Sequence, residues 1–165
     1  MTTHPLPLAS IAPVPVRLPQ ANRILVPIDF TETSDKAFDF ALELAERFSA
    51  SVTAMHAYEI PVIGFPDGAL VATVDIASRI QESGRKGLDA AVAARASRGV
   101  PIDSVLREGP AWEEIRALAE ELPADIIVIG THGRRGIARA LLGSVAENVI
   151  RTTKVPVLTI HGPRD

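Results

Sequence analysis

The 165-residue chain contains no cysteine, which excludes disulfides, thiolate metal ligands and cysteine nucleophiles and fits a reducing, cytoplasmic setting. Aromatic residues make up only 4%, against 47% hydrophobic, so any core must be built from Ala, Val, Ile and Leu. Neither sign of charge is in large excess, with 17 Lys and Arg against 20 Asp and Glu. A net charge of -3 argues against a nucleic-acid partner, which would call for a strong basic patch. No apolar run approaches the roughly 20 residues of a membrane span, so no membrane partner is expected. The start of the chain has neither a basic n-region nor an apolar stretch ahead of a cleavage site, so it does not read as a signal peptide. Catalytic signatures are missing too. There is no Gly-x4-Gly-Lys-Ser/Thr, no Gly-x-Ser-x-Gly elbow and no kinase set, so fast phosphoryl or acyl transfer is not expected.

What is present is the length of about one domain. Prolines at 5, 7, 13, 15 and 19 mark residues 1–20 as a flexible tail. A single domain is expected over 21–162, followed by a short tail at 163–165. Arg23 to Asp29 reads as a buried strand ending on an acid, with Pro27 near its end. Thr31, Thr33 and Ser34 are candidate caps for a helix whose apolar positions are Ala37, Phe40, Ala41, Leu44, Ala45 and Phe48. Ser51 to Ala57 is a second strand, and Glu59 to Leu70, rich in Pro and Gly, is a loop. A long helix is expected over 71–97, with Ile76, Ile80, Leu88, Ala91 and Val92 inward and Gly84 and Gly87 weakening its middle. Ile102 to Arg107 is a third strand. A helix opened by Pro110 follows, with Glu113 and Glu114 in its first turn and Ile115, Leu118, Ala119 and Leu122 as its inner stripe. Asp125 to Ile129, a helix over about 145–151 and a strand over Val155 to Ile160 complete the pattern. Strands alternating with helices imply an open, doubly wound α/β fold with a parallel sheet covered on both faces.

The most informative segment follows the apolar run Ala124 to Ile129. It reads Gly130-Thr131-His132-Gly133 and, nine residues on, Gly143-Ser144. Glycines let a ligand approach the backbone, and a helix N-terminus offers free N–H groups with a positive dipole end, the elements of a phosphate cradle. Each part has a plainer reading. Ser144 to Glu147 is also a capping box, Gly130 is also a tight turn, and Asp29 is also a helix-start charge. His56 reads as a hydrogen-bonded histidine at the core edge, without the spaced partners of a metal ligand. His132, Arg134, Arg135 and Arg139 either meet phosphate or form a solvated basic loop.

Together, Gly130-x2-Gly133-x9-Gly143-Ser144 and the opening Arg23-Ile-Leu-Val-Pro-Ile-Asp-Phe-Thr resemble the universal stress protein family. His56-Ala57 and Lys154-Val-Pro-Val-Leu-Thr-Ile add to the likeness, which covers about residues 22–161. The resemblance implies a Rossmann-like five-stranded parallel sheet in order 3-2-1-4-5, a homodimer and ATP binding; the terminal strand Val155 to Ile160 is the edge expected to pair with a second copy, and a single carboxylate near the phosphates is a candidate to hold Mg2+ through water beside the nucleotide's own oxygens. Carried over, Asp29 binds ribose or assists near the phosphates, Pro27 and Ala57 flank adenine, Ala57 through its backbone groups, and Ile28 belongs to the same cofactor site. Ile129 and Gly130 line the sugar and base. Gly133, Gly143, Ser144 and Val145 hold phosphates, with His132 and Arg134 beside them.

These residues describe a protein that binds and senses a nucleotide, with at most slow ATPase activity. The alternatives are a nucleotide-free dimeric scaffold, offering the apolar last strand as an edge to a second copy, and a slow ATP hydrolase.

Overall fold

The structure, a computed structural model, describes residues 21–61, 63–64, 70–71, 74–131 and 142–162. Its elements are β1 (Arg23–Pro27), α1 (Glu32–Phe48), β2 (Ser51–Tyr58), β3 (Ile63–Gly64), β4 (Leu70–Val71), α2 (Val74–Ala93), a single 3-10 turn (Ala96–Arg98), β5 (Ile102–Glu108), α3 (Ala111–Glu121), β6 (Ile126–Gly130), α4 (Ser144–Thr152) and β7 (Val157–Ile160). Five strands form one sheet in the order β5-β2-β1-β6-β7, all neighbours parallel. Counting only these strands, the order is the expected 3-2-1-4-5.

The sheet is covered on both faces, and its central strands β1 and β6 are near-continuous apolar runs, Ile24 to Pro27 and Ile126 to Ile129. In β1 and just beyond it, Ile24, Val26 and Ile28 pack with Phe38, Leu42 and Leu88 of α1 and α2. Leu25 points to the opposite face, where Ile127 and Ile129 of β6 meet Ile115, Leu118 and Ala119 of α3 and Val149 of α4.

Several sequence expectations shift. In α1 the inward stripe is Phe38, Ala41, Leu42 and Ala45, whereas Phe40 and Phe48 are 40% and 36% exposed. The i, i+4, i+8 row of Phe40, Leu44 and Phe48 neighbours the buried face rather than forming it. The second helix starts at Val74, not Val71, and Ile76 in its first turn is exposed. The Pro/Gly-rich segment expected to be only a loop contains the antiparallel pair β3–β4. The last strand begins at Val157 rather than Val155, because the Val155 N–H donates to the Thr153 hydroxyl instead of entering the ladder.

One side chain ties the outer ends of α1 and α2. The Arg95 guanidinium donates to Asp39 at 2.7 Å, to Asp35 at 3.2 Å and to the Ala91 carbonyl, and lies 4.6 Å over the Phe38 ring.

Candidate functional site

The carboxyl ends of β2, β1 and β6 lie side by side, the position at which open α/β sheets bind ligands. Pro27 closes β1 and is half-buried, and Ala57 is the penultimate residue of β2. Ile28 and Ile129 are buried, their side chains in opposite core clusters, so what they offer a ligand is backbone.

The turn from β1 to α1 carries Asp29. Its Oδ1 accepts from the Thr31 hydroxyl at 2.6 Å and the Thr31 N–H at 3.1 Å. Thr31 is the cap of α1: its side chain accepts from the Ser34 N–H, and the Ser34 hydroxyl lies 3.1 Å from the Thr31 N–H, a reciprocal capping box. The carboxylate is therefore held by the same residue that starts the helix. Behind it, Phe30 adopts φ +63 and stacks on His56 with ring centroids 4.4 Å apart. His56 Nδ1 lies 2.7 Å from the Ile28 carbonyl. A carbonyl only accepts, so Nδ1 carries the proton. His56 is thus the hydrogen-bonded core-edge residue that its isolation in the sequence indicated.

The second half of the site runs from β6 to α4. Gly130 ends β6 against the start of α1: a Cβ there would lie 3.0 Å from Thr33 Cγ2 and 3.3 Å from the Thr33 carbonyl carbon and oxygen. Thr131 is fully buried. Its N–H donates to Ile160 of β7, its carbonyl accepts from the Gly143 N–H at 2.6 Å, and its hydroxyl lies 3.1 Å from His161 Nδ1. Gly143, not Ser144, is the N-cap of α4, so the capping box expected at Ser144 to Glu147 does not form. Ser144 already has helical backbone, and the Glu147 N–H bonds to the Gly143 carbonyl. The N-cap Gly143 has no side chain with which to cap this helix start, and Ser144 and Val145 are exposed in its first turn. Its leading N–H groups are the fixed partial charges with which such a terminus meets an anion.

Pro27, Ile28, Asp29, Ala57, Ile129 and Gly130 thus lie along one edge of the sheet, and the Gly143–Thr131 bond anchors Gly143, Ser144 and Val145 to β6. His132, Gly133, Arg134, Arg135 and Arg139 lie outside the described residues. Sequence reasoning gave no role to Thr131 or Phe30 and read Thr33 only as a candidate cap. Threonine after a strand is common, and only the packing shows that Thr33 sits beneath Gly130 and Gly162, whose added Cβ would come within 3.0 Å of Thr33 Oγ1. Beside Ala57, Tyr58 has its phenol raised above 10.0 by desolvation and then by the Glu108 carboxylate. Among the described residues no group of three or more His, Asp or Glu side chains is arranged to hold a metal ion, and no helix is long and apolar enough to cross a membrane.

The profile of the universal stress protein family matches residues 21–161 of this chain. The chain belongs to the universal stress protein family. Universal stress protein MJ0531 of Methanocaldococcus jannaschii is 35% identical over 145 residues, spanning 87% of this chain and 84% of that protein. The solved structure of MJ0577, also from Methanocaldococcus jannaschii, superposes with a TM-score of 0.72 at 25% identity, covering 88% of this chain and 99% of that one. A universal stress protein solved in complex with cAMP gives a TM-score of 0.66 at 25% identity, over 87% and 99% of the two chains.

Proposed function

We propose that this member of the family binds an adenine nucleotide, ATP in particular, and acts as a cytoplasmic sensor or regulator in a stress response. The observation that carries the reading is the joint between β6 and α4. The Gly143–Thr131 hydrogen bond sets a helix start with glycine at its cap beside the strand end that neighbours Asp29. A helix N-terminus with glycine at its cap and an exposed hydroxyl in its first turn suits phosphate oxygens. Asp29, next to it along the sheet edge, suits ribose hydroxyls. The cAMP complex of a relative with the same fold is in keeping with an adenine ligand.

In this reading Pro27, Ile28 and Ala57 flank adenine, with backbone groups doing the recognition. Asp29, Ile129 and Gly130 line the sugar, and Gly133, Gly143, Ser144 and Val145 take the phosphates with His132 and Arg134 nearby. Mg2+ enters with the nucleotide, held mainly by the nucleotide's own oxygens. The sequence holds no Gly-x4-Gly-Lys-Ser/Thr, and in this reading turnover is slow at most.

Mass spectrometry of ligand released from freshly purified protein, followed by calorimetric titration with ATP, tests the reading. Recovered adenine nucleotide and saturable binding are expected. A protein that purifies empty and does not respond to ATP refutes it.

A second reading, a dimeric scaffold without nucleotide, is favoured by β7, which is an edge strand with half-buried residues. A homodimer through this strand is compatible with either reading, and sedimentation of a Leu158→Lys variant against wild type tests it. Slow hydrolysis is tested by phosphate release over hours with Asp29→Asn as control, since Asn keeps the acceptor that Thr31 needs.

A further inference from the structure

We propose that the two glycines within α2, Gly84 and Gly87, form a notch that positions Asp29 by way of His56 and Phe30. The proposal rests on the nucleotide reading for its effect on affinity, but not for its effect on the turn.

Glycine is unfavourable inside a helix, and these two sit one turn apart, where residues three apart share a face. That face abuts the β1–α1 turn. A Cβ at Gly87 would lie 2.7 Å from Phe30 Cζ and 2.9 Å from Cε1, and a Cβ at Gly84 would lie 3.1 Å from both His56 Cδ2 and Leu106 Cδ1. The two rings the glycines admit are the two that stack on each other. Phe30 holds φ +63, a conformation that a bulky residue keeps only when its surroundings over-determine it. Here those surroundings are the His56 ring on one side and the bare helix backbone on the other. His56 in turn holds the Ile28 carbonyl. Ile28 and Phe30, the residues on either side of Asp29, are therefore both fixed by this packing. Thr31, the next residue, donates two hydrogen bonds to the Asp29 carboxylate. Movement of α2 against the sheet would reach the carboxylate through two covalent neighbours without α2 touching the ligand.

The test uses the full chain and the Gly87→Ala variant, with two readouts. Amide hydrogen exchange without nucleotide follows Thr31, whose N–H bonds inside the turn. Calorimetry measures the ATP dissociation constant. In Gly87→Ala, exchange at Thr31 is expected to quicken while amides of β5 and α3 keep wild-type rates, and ATP affinity is expected to fall roughly tenfold. Adding Phe30→Leu, which vacates the collision, should recover part of both. Wild-type exchange at Thr31 in the variant overturns the proposal, as does a uniform quickening across all elements or a double variant no better than the single one. If Gly87→Ala does not fold, Gly84→Ala, whose clash is milder, decides on the same readouts. A wild-type protein that fails to bind ATP refutes the nucleotide reading, and the exchange readout still decides the notch.

Discussion

Replacing Gly130 by Ala tests how the end of β6 is packed. The added methyl would stand 3.0 Å from Thr33 Cγ2 and 3.3 Å from the Thr33 carbonyl carbon and oxygen. These contacts are tighter than ordinary van der Waals separation, and two involve helix backbone, which yields less readily than a side chain. Overpacking of this kind costs about 2 kcal/mol. For a domain of this size that corresponds to a fall in Tm of about 4–8 °C. Thr33→Ser removes the Cγ2 contact and leaves the backbone ones, so a double-mutant cycle should return a favourable coupling of about 0.5–1 kcal/mol. Circular dichroism melts and urea titrations of the four proteins measure all of these terms. A Gly130→Ala protein as stable as wild type, or strictly additive variants, would refute the packing argument. Loss of ATP binding in Gly130→Ala alone would not identify a phosphate contact, because the same methyl pushes on the helix start beside Asp29.

Ser144→Asp places an acid in the first turn of α4, where the helix dipole favours it by about 0.5 kcal/mol. Stability should be unchanged or slightly higher, while ATP affinity falls by about tenfold or more from charge repulsion at the phosphates; equal affinity by calorimetry would remove Ser144 from the site. Tyr58 is the sole tyrosine, so its ionisation can be followed directly by absorbance near 295 nm. The midpoint should lie above 10.0 and move down in Glu108→Gln. The folded phenol is harder to ionise than the unfolded one, so its contribution to stability is level below pH 10.0 and is lost as pH rises through the folded midpoint. A chemical denaturation series across alkaline pH, compared with Tyr58→Phe, reads this arm. Arg95→Met should lower stability by about 2 kcal/mol through lost hydrogen bonds to Asp35, Asp39 and the Ala91 carbonyl and lost stacking on Phe38, with ATP affinity unchanged.

The parallel sheet was legible because Ile24 to Ile28 and Ile126 to Ile129 are near-continuous apolar runs, and such runs belong to strands covered on both faces. The stripe of α3 was equally clear, since Ile115, Leu118 and Ala119 have a single inward face available. On α1 the apolar residues span more than one face, and periodicity alone does not choose between the Phe38 and Phe40 rows. In the candidate site, Asp29 and Gly143 were visible as a strand-end acid and a helix-mouth glycine. Gly84 and Gly87 were read as weak points in a helix, although a pair three residues apart is also what a helix needs where rings press against its backbone. Thr33 was legible only as a candidate cap, and Thr131 only as a member of the glycine motif with no role of its own. Their importance comes from neighbours 97 and 30 residues away in the chain, Gly130 and His161.

The strand order has a temporal side. β1 can pair with β2 as soon as Ser51 to Met55 follow it, but its other neighbour, which aligns Ile126 with Ile24, arrives about a hundred residues later. At roughly 5–20 residues per second of synthesis, one flank of the central strand waits for about 5–20 s before it is covered. During that interval the segment around Ile24 to Ile28 presents an apolar, hydrogen-bonding edge to whatever is nearby, and the candidate site between β1 and β6 does not yet exist. A nascent chain halted before Ile126 would therefore be a client for chaperones before any ligand proposed for that site could find it.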